Sequence, residues 1–220
     1  MRPTSAVYRW RRAGLALMAA ALTLGGFMIS SSDEDAKDPP RPAAADAFNG
    51  PADTAGTASS LRALPLSPPK RIQIPSIGVD APLIGLNADK DGTLEPPPGD
   101  KKNLAGWFRN GIPPGSTGTA VIAGHVDTRE GPAIFYNLGS LHKDNTVKIT
   151  RADGYIATFV VDAVEEYEKD DFPSDKVYGH ATRPELRLIT CSGSYSEKNG
   201  YSANAVAYAH LDKVSPASAE

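Results

Sequence analysis

The chain holds one cysteine, Cys191, in the run Leu188-Ile189-Thr190-Cys191-Ser192-Gly193. The run reads as the end of a strand followed by a polar, glycine-containing loop. A thiol there stands at a rim that ligands reach. A buried structural cysteine is the ordinary alternative. His125 repeats the arrangement: it follows the apolar run 119–124 and precedes Asp127 in a turn. If the two strands are neighbours, both side chains face the same end of the fold. A Cys–His pair is the usual way to make a thiolate near neutral pH, and so to perform covalent acyl chemistry. His142, His180 and His210 read as residues of a turn, a loop and a strand end, with surface or capping roles.

Strands must position such a pair. Residues 71–75 alternate with period two and stop at Pro75. Residues 79–84 form a second strand, and Pro82 within it predicts an edge or a bulge. Residues 87–103 are turn-rich and predict a long loop. Order resumes at 105–108, and 119–124 is an apolar, buried strand. Residues 146–150 and 155–167 predict a hairpin across Arg151-Ala152-Asp153-Gly154. Residues 186–190 and 203–211 are the last two strands, while 133–138 is too short to assign. No segment offers an amphipathic helix longer than about two turns. Short strands punctuated by Gly and Pro predict an all-β barrel or sandwich.

Composition bounds the rest. The 220 residues carry 23 Lys+Arg against 26 Asp+Glu, a net charge of −3, which argues against a nucleic-acid binder. One cysteine rules out an internal disulfide and a cysteine-rich zinc site. Residues 1–12 are basic, with Arg2, Arg9, Arg11 and Arg12 and no acid. Residues 13–29 carry no charge, and that length is at the short end of the roughly 17–25 residues that span a bilayer. Arginines before the run hold the N-terminus in the cytoplasm. We therefore expect a basic cytoplasmic N-terminus (1–12) and a transmembrane signal-anchor (13–30), with a cleaved signal peptide as the competing reading. A buried core helix has the wrong flanks. Residues 31–69, rich in Pro and Ala, predict a disordered tether, and a globular domain follows over 70–220. The domain then lies outside the membrane, where an unpaired thiol is open to oxidation, which weighs toward a functional Cys191.

Gly124-His125-Val126-Asp127, followed by Leu188-Ile189-Thr190-Cys191, resembles the sortases, cysteine transpeptidases on the outer face of Gram-positive cells. Ile74-Pro75, Gly106-Trp107 and the apolar close Ala205-Val206-Ala207-Tyr208-Ala209 belong to the same pattern, which covers residues 70–213. Gly131-Pro132-Ala133-Ile134-Phe135-Tyr136 and Tyr178-Gly179 most resemble class F, with class E second. The resemblance implies an eight-stranded sortase-type barrel with short helices and long loops. It implies that Cys191 attacks the Thr-Gly bond of a Leu-Pro-x-Thr-Gly-like sorting signal, that His125 protonates the leaving amine, and that a thioacyl enzyme is resolved by an amine of a peptidoglycan precursor. Thr190 would help to position the acyl group. The implied partners are secreted proteins bearing the signal, the wall precursor and the membrane.

The pattern departs at one place. Sortases normally add an arginine on the last strand, and no arginine follows Cys191. The matching position is Asn204, whose amide keeps a donor without the charge. Lys198 and Arg129 are the other candidates for the role, and a weak or inactive member that binds a wall component or partner is the remaining reading. An L,D-transpeptidase also uses Cys and His, but Thr190-Cys191-Ser192 lacks the expected His-Gly before the cysteine. The acids from Asp162 to Asp171 suggest calcium only weakly, and no cofactor is expected. The tether lacks an aromatic lid motif, which favours general anchoring over pilin polymerisation.

Overall fold

Ile72 and Ile74, two residues apart, are both fully buried, while Lys70 and Arg71 beside them are exposed. Alternation of this kind marks a strand with one face turned inward, because successive side chains leave a strand on opposite faces. A barrel forms when one set of faces turns inward. The computed structural model describes residues 38–50, 62–90 and 94–217. Its strands are β1 (Pro69–Ile74), β2 (Val79–Leu86), β3 (Ala105–Phe108), β4 (Gly118–Gly124), β5 (Asp127–Thr128), β6 (Gly131–Pro132), β7 (Thr146–Arg151), β8 (Tyr155–Glu168), β9 (Pro184–Ser196) and β10 (Gly200–Pro216). The only α-helix among the described residues is α1 (Ser174–Tyr178). Eight strands close in the order β1-β2-β3-β4-β9-β10-β8-β7, and β5 and β6 form a separate small hairpin. The expected barrel is therefore present, and the sandwich alternative is not.

Two of the strand contacts are parallel, β2 with β3 and β4 with β9. Parallel neighbours need long crossovers. Residues 87–104 make the first, which accounts for the long turn-rich loop. Pro82 does not mark an edge, since the barrel has none. It pairs with Arg71 of β1, and the parallel contact with β3 starts at the next residue, Leu83. The missing N–H thus falls where β2 changes partner.

The inward faces form one core that includes Ile72, Ala120, Ile122, Phe159, Leu186, Leu188 and Ala207. A second, smaller cluster lies on the outer wall: Val121, Ile189, Val206 and Tyr208 pack against Val177 of α1, with Phe48, Leu94, Phe108, Tyr167 and Phe172 around them. β4, β9 and β10 thus bury both faces where this cluster covers them, and a site can be built on their outer side.

Part of the expected tether is not disordered. Residues 62–68 join the barrel: Leu64 N donates to Gly115 O (2.8 Å), and Arg151, 1% exposed, donates to Pro65 O and Pro114 O. Residues 38–50 lie along the barrel as a strap. The Asp46 carboxylate accepts from His142 Nδ1 (2.7 Å) and Lys143 N (3.0 Å), and Phe48 packs edge-on against Tyr208 with 5.0 Å between centroids. A segment too polar to fold alone can still dock on a formed surface through a few anchors. The anchor segment expected at 13–30, and residues 31–37 and 51–61 of the tether, lie outside the described residues. Among the described residues no helix is long and apolar enough to cross a membrane.

Gly139 offers a local test of the strap. A Cβ there would lie 2.0 Å from Pro40 O and 2.8 Å from Pro40 C. Gly139→Ala is expected to undock the strap, so that chymotrypsin cuts after Phe48 about tenfold faster, since cleavage follows local opening. The barrel's thermal transition should move little. Unchanged cleavage would show that the strap is not held there.

Candidate active site

Register brings the pair together. The parallel contact of β4 with β9 ends at Ala123 opposite Ile189. Continued by two residues, the same register puts His125, just past the end of β4, opposite Cys191. Between them, Thr190 Oγ1 donates to Gly124 O at 2.9 Å and ties the strand ends. Cys191 is not at the end of its strand, because β9 runs on to Ser196. It stands instead at the rim of the barrel, since β4 stops and β9 continues as a ribbon paired with β10 alone. Two residues on, Gly193 adopts φ +81°, and the β9–β10 register slips between Tyr201 and Ala203. A bulge of this kind re-aims a strand next to a site.

Parity decides which way the side chains point. Leu186 and Leu188 face inward, so Ile189 and Cys191 face outward. Asn204 of β10 is directly opposite Cys191 and shares its face. Thr190 faces the other way. Its hydroxyl is buried and engaged by Gly124, so it fixes the strand ends instead of positioning an acyl group.

The His125 ring is held by the long loop. Nε2 donates to Pro97 O at 2.7 Å, which leaves Nδ1 as the basic nitrogen of the neutral ring. Gly124 before it has no room for a side chain: a Cβ would lie 2.6 Å from Phe135 Cδ2 and 2.8 Å from Ile134 Cγ2. Residues 133–138, which the sequence left unassigned, are thus the support under His125, and Phe135 N donates to His125 O (3.0 Å). Beyond it, Asp127 Oδ2 accepts from Tyr201 Oη (2.5 Å), which links the His segment to β10.

Burial pushes the Cys191 thiol above its ordinary range; the Lys169 ammonium pulls it down and the Asp127 carboxylate pushes it up. The resting side chain is therefore a thiol, and a base must take its proton. Burial also raises the Tyr201 hydroxyl, and its bond to Asp127 adds to the rise, so Tyr201 stays neutral.

A cleft of about 850 Å³ opens on the same outer wall. Val121 and Thr119 of β4 line its floor, Leu94 of the long loop, Phe108 and Ile112 one side, and Phe172 and Tyr178 the other. Thr119 Oγ1 donates to Gly179 O (2.6 Å) and holds the end of α1 against the floor. Cys191 and His125 are not in its walls. The cleft reaches them through Asn204 and Lys169, which do line it.

Of the other expected residues, Arg129 sits in the β5–β6 turn and Lys198 in the β9–β10 turn, both exposed, and neither lines the cleft. His142 and His210 bond Asp46 and Asp162 at 2.7 Å each, whereas His180 lines the cleft. Glu165 accepts from Phe48 N, Tyr167 Oη and Lys176 Nζ, and Glu166 from Ser192 Oγ. Among the described residues no group of three or more His, Cys, Asp or Glu is placed to hold a metal ion. Lys169, the Pro97 carbonyl and the Asp127–Tyr201 bond are absent from the sequence reading, because each is tied to the site only through pairing between distant segments.

A cysteine and a histidine at one rim of a barrel, next to a cleft, form an arrangement that cysteine acyl-transfer chemistry can use. The sortase-domain family model matches residues 72–212, and the chain belongs to the sortase family, the cysteine transpeptidases. Its structure resembles sortase A of Listeria monocytogenes (TM-score 0.50, 17% identity, 67% of this chain and 88% of that one). It also resembles SrtA sortase from Actinomyces oris (0.50, 17%, 72% and 86%) and a lid mutant of sortase A from Corynebacterium diphtheriae (0.52, 20%, 71% and 75%). At these identities the likeness is one of fold. No curated protein sequence matches the chain.

Proposed function

We propose that the chain is a membrane-anchored sortase that cleaves a Leu-Pro-x-Thr-Gly-like signal of secreted proteins and transfers them to a peptidoglycan precursor amine. The observation that carries this reading is the adjacency of His125 and Cys191 on an outer wall that continues into an apolar cleft. His125 takes the proton from Sγ. The thiolate attacks the Thr carbonyl, the C–N bond breaks, and the departing Gly amine leaves with the proton returned by His125. The thioester holds the acyl group until an incoming amine attacks it. Leu94, Phe108, Val121 and Phe172 suit the apolar Leu-Pro end of an extended signal.

Residues 131–136 and Tyr178-Gly179 support class F over class E, and residues 1–30 support a single-pass anchor with the catalytic domain outside. One observation favours a second reading, an anchored barrel that only binds a wall component: no arginine follows Cys191. The test is to incubate the full-length chain in detergent with Leu-Pro-x-Thr-Gly and Leu-Ala-x-Thr-Gly peptides and read intact mass. A thioacyl adduct on Cys191 that an added amine releases is the expected result. No adduct from a folded chain with a reduced thiol would overturn the reading in favour of the binding module.

A further inference from the structure

Attack of Cys191 on a carbonyl moves the C=O electron pair onto oxygen as the S–C bond forms. A donor on the outer face must meet that charge until the pair returns and the C–N bond breaks. We propose that Lys169 and Asn204 meet it together, the Lys169 ammonium supplying the charge and the Asn204 amide the directed hydrogen bond. The proposal rests on the transpeptidase reading and names residues for its oxyanion step.

Three observations place them. Asn204 pairs with Cys191 on one side and with Tyr167 of β8 on the other, so all three side chains share the outer face. Lys169 opens the 3-10 turn that follows β8, two residues beyond Tyr167, and its charge acts on the Cys191 thiol. Lys169 and Asn204 both line the cleft, and Asn204 is paired with Cys191.

Charge bookkeeping agrees. Lys176 is committed to Glu165, and Arg183 and Arg187 to Glu185. Among the described residues no carboxylate forms an ion pair with Lys169. Its charge also bears on the thiol, holding it below where burial alone would set it. A lysine carries a point charge on a flexible stem, and an asparagine carries a fixed donor without charge, so each supplies what the other lacks.

The experiment measures kcat/KM for peptide transfer to an amine, and the pH midpoint of Cys191 alkylation by iodoacetamide, in the full-length chain. Lys169→Met should lower kcat/KM by about 10–100-fold, with most of the loss in kcat, as for a donor used in the transition state. Lys169→Arg should keep most of the rate, and Asn204→Arg should restore it in the Lys169→Met background. The alkylation midpoint should rise in Lys169→Met, since a cation that favours the thiolate is gone. It should hold in Asn204→Ala. The groups that face the thiol are Lys169 beyond β8, Asp127 of β5, His125 beyond β4 and Tyr201 of β10. Asp127→Asn is therefore the control that should move the midpoint the other way. If wild type forms an adduct and Lys169→Met transfers at the wild-type rate, the proposal is overturned while the transpeptidase stands. If wild type forms no adduct, the transpeptidase reading fails, and an unmoved midpoint in Lys169→Met separately refutes the coupling.

Discussion

Cys191→Ala is expected to abolish the acyl adduct and to lower peptide turnover by at least about 10⁴-fold, the scale on which covalent catalysis collapses without its nucleophile. The chain has no second cysteine to substitute. His125→Ala should cost a similar factor, because the buried thiol rests protonated and His125 is the base proposed to take its proton. The two losses should not add, since both residues serve one step. Raising the pH separates them. Thiolate forms unaided as the pH climbs past the raised thiol range, so His125→Ala should regain adduct formation in alkali and Cys191→Ala should not. Turnover by Cys191→Ala at more than about a hundredth of the wild-type rate would exclude the thioacyl route. Both variants should fold, because Cys191 and His125 stand at the rim, away from the inner core.

Arg151→Ala is the largest expected effect on stability. The guanidinium is 1% exposed, pairs with Asp153 at 2.7 Å, and satisfies the carbonyls of Pro65 and Pro114. Removing one partner of a buried pair costs about 3–5 kcal/mol. Asp153 is partly exposed, with 27% of its side chain in solvent, so we expect the lower end, about 3 kcal/mol, which moves the melting point by roughly 6–12 °C. Residues 62–68 should loosen first, because two of the lost hydrogen bonds hold the lead-in to β1. The Arg151 hydrogen bond also keeps the Asp153 carboxyl below the usual carboxylate range. That contribution is present above the unfolded aspartate range and is lost as the pH falls through the lower folded value. The wild type should therefore lose stability in acid more steeply than Arg151→Ala does. Denaturant titrations at neutral and acid pH measure both quantities. A change under about 1 kcal/mol would show that the pair only compensates its own desolvation.

Local chemistry alone determined much of this protein. Period two marked 71–75 and short runs bounded by turn residues marked the other strands, because both patterns are written within a strand and need no knowledge of its neighbours. The single cysteine and the Gly-His step were equally legible, since residue type and strand position define them. Their partnership was not. β4 and β9 are parallel neighbours 60 residues apart in the chain, and only the closed barrel brings Ala123 opposite Ile189 and so His125 beside Cys191. The strand containing Cys191 reads as ending there because Ser192-Gly193-Ser194-Tyr195-Ser196 is polar. The ladder to β10 extends it, as hydrogen bonds between backbones ignore polarity. Lys169 has no motif of its own in the sequence, and only the folded chain places it in the cleft. The strap at 38–50 has a composition that cannot fold alone, and its order comes from Tyr208, His142 and Glu165, which lie about a hundred or more residues away. Periodicity is written within a strand, whereas adjacency is set by closure of the whole sheet, so the chemistry was readable residue by residue and the site was not.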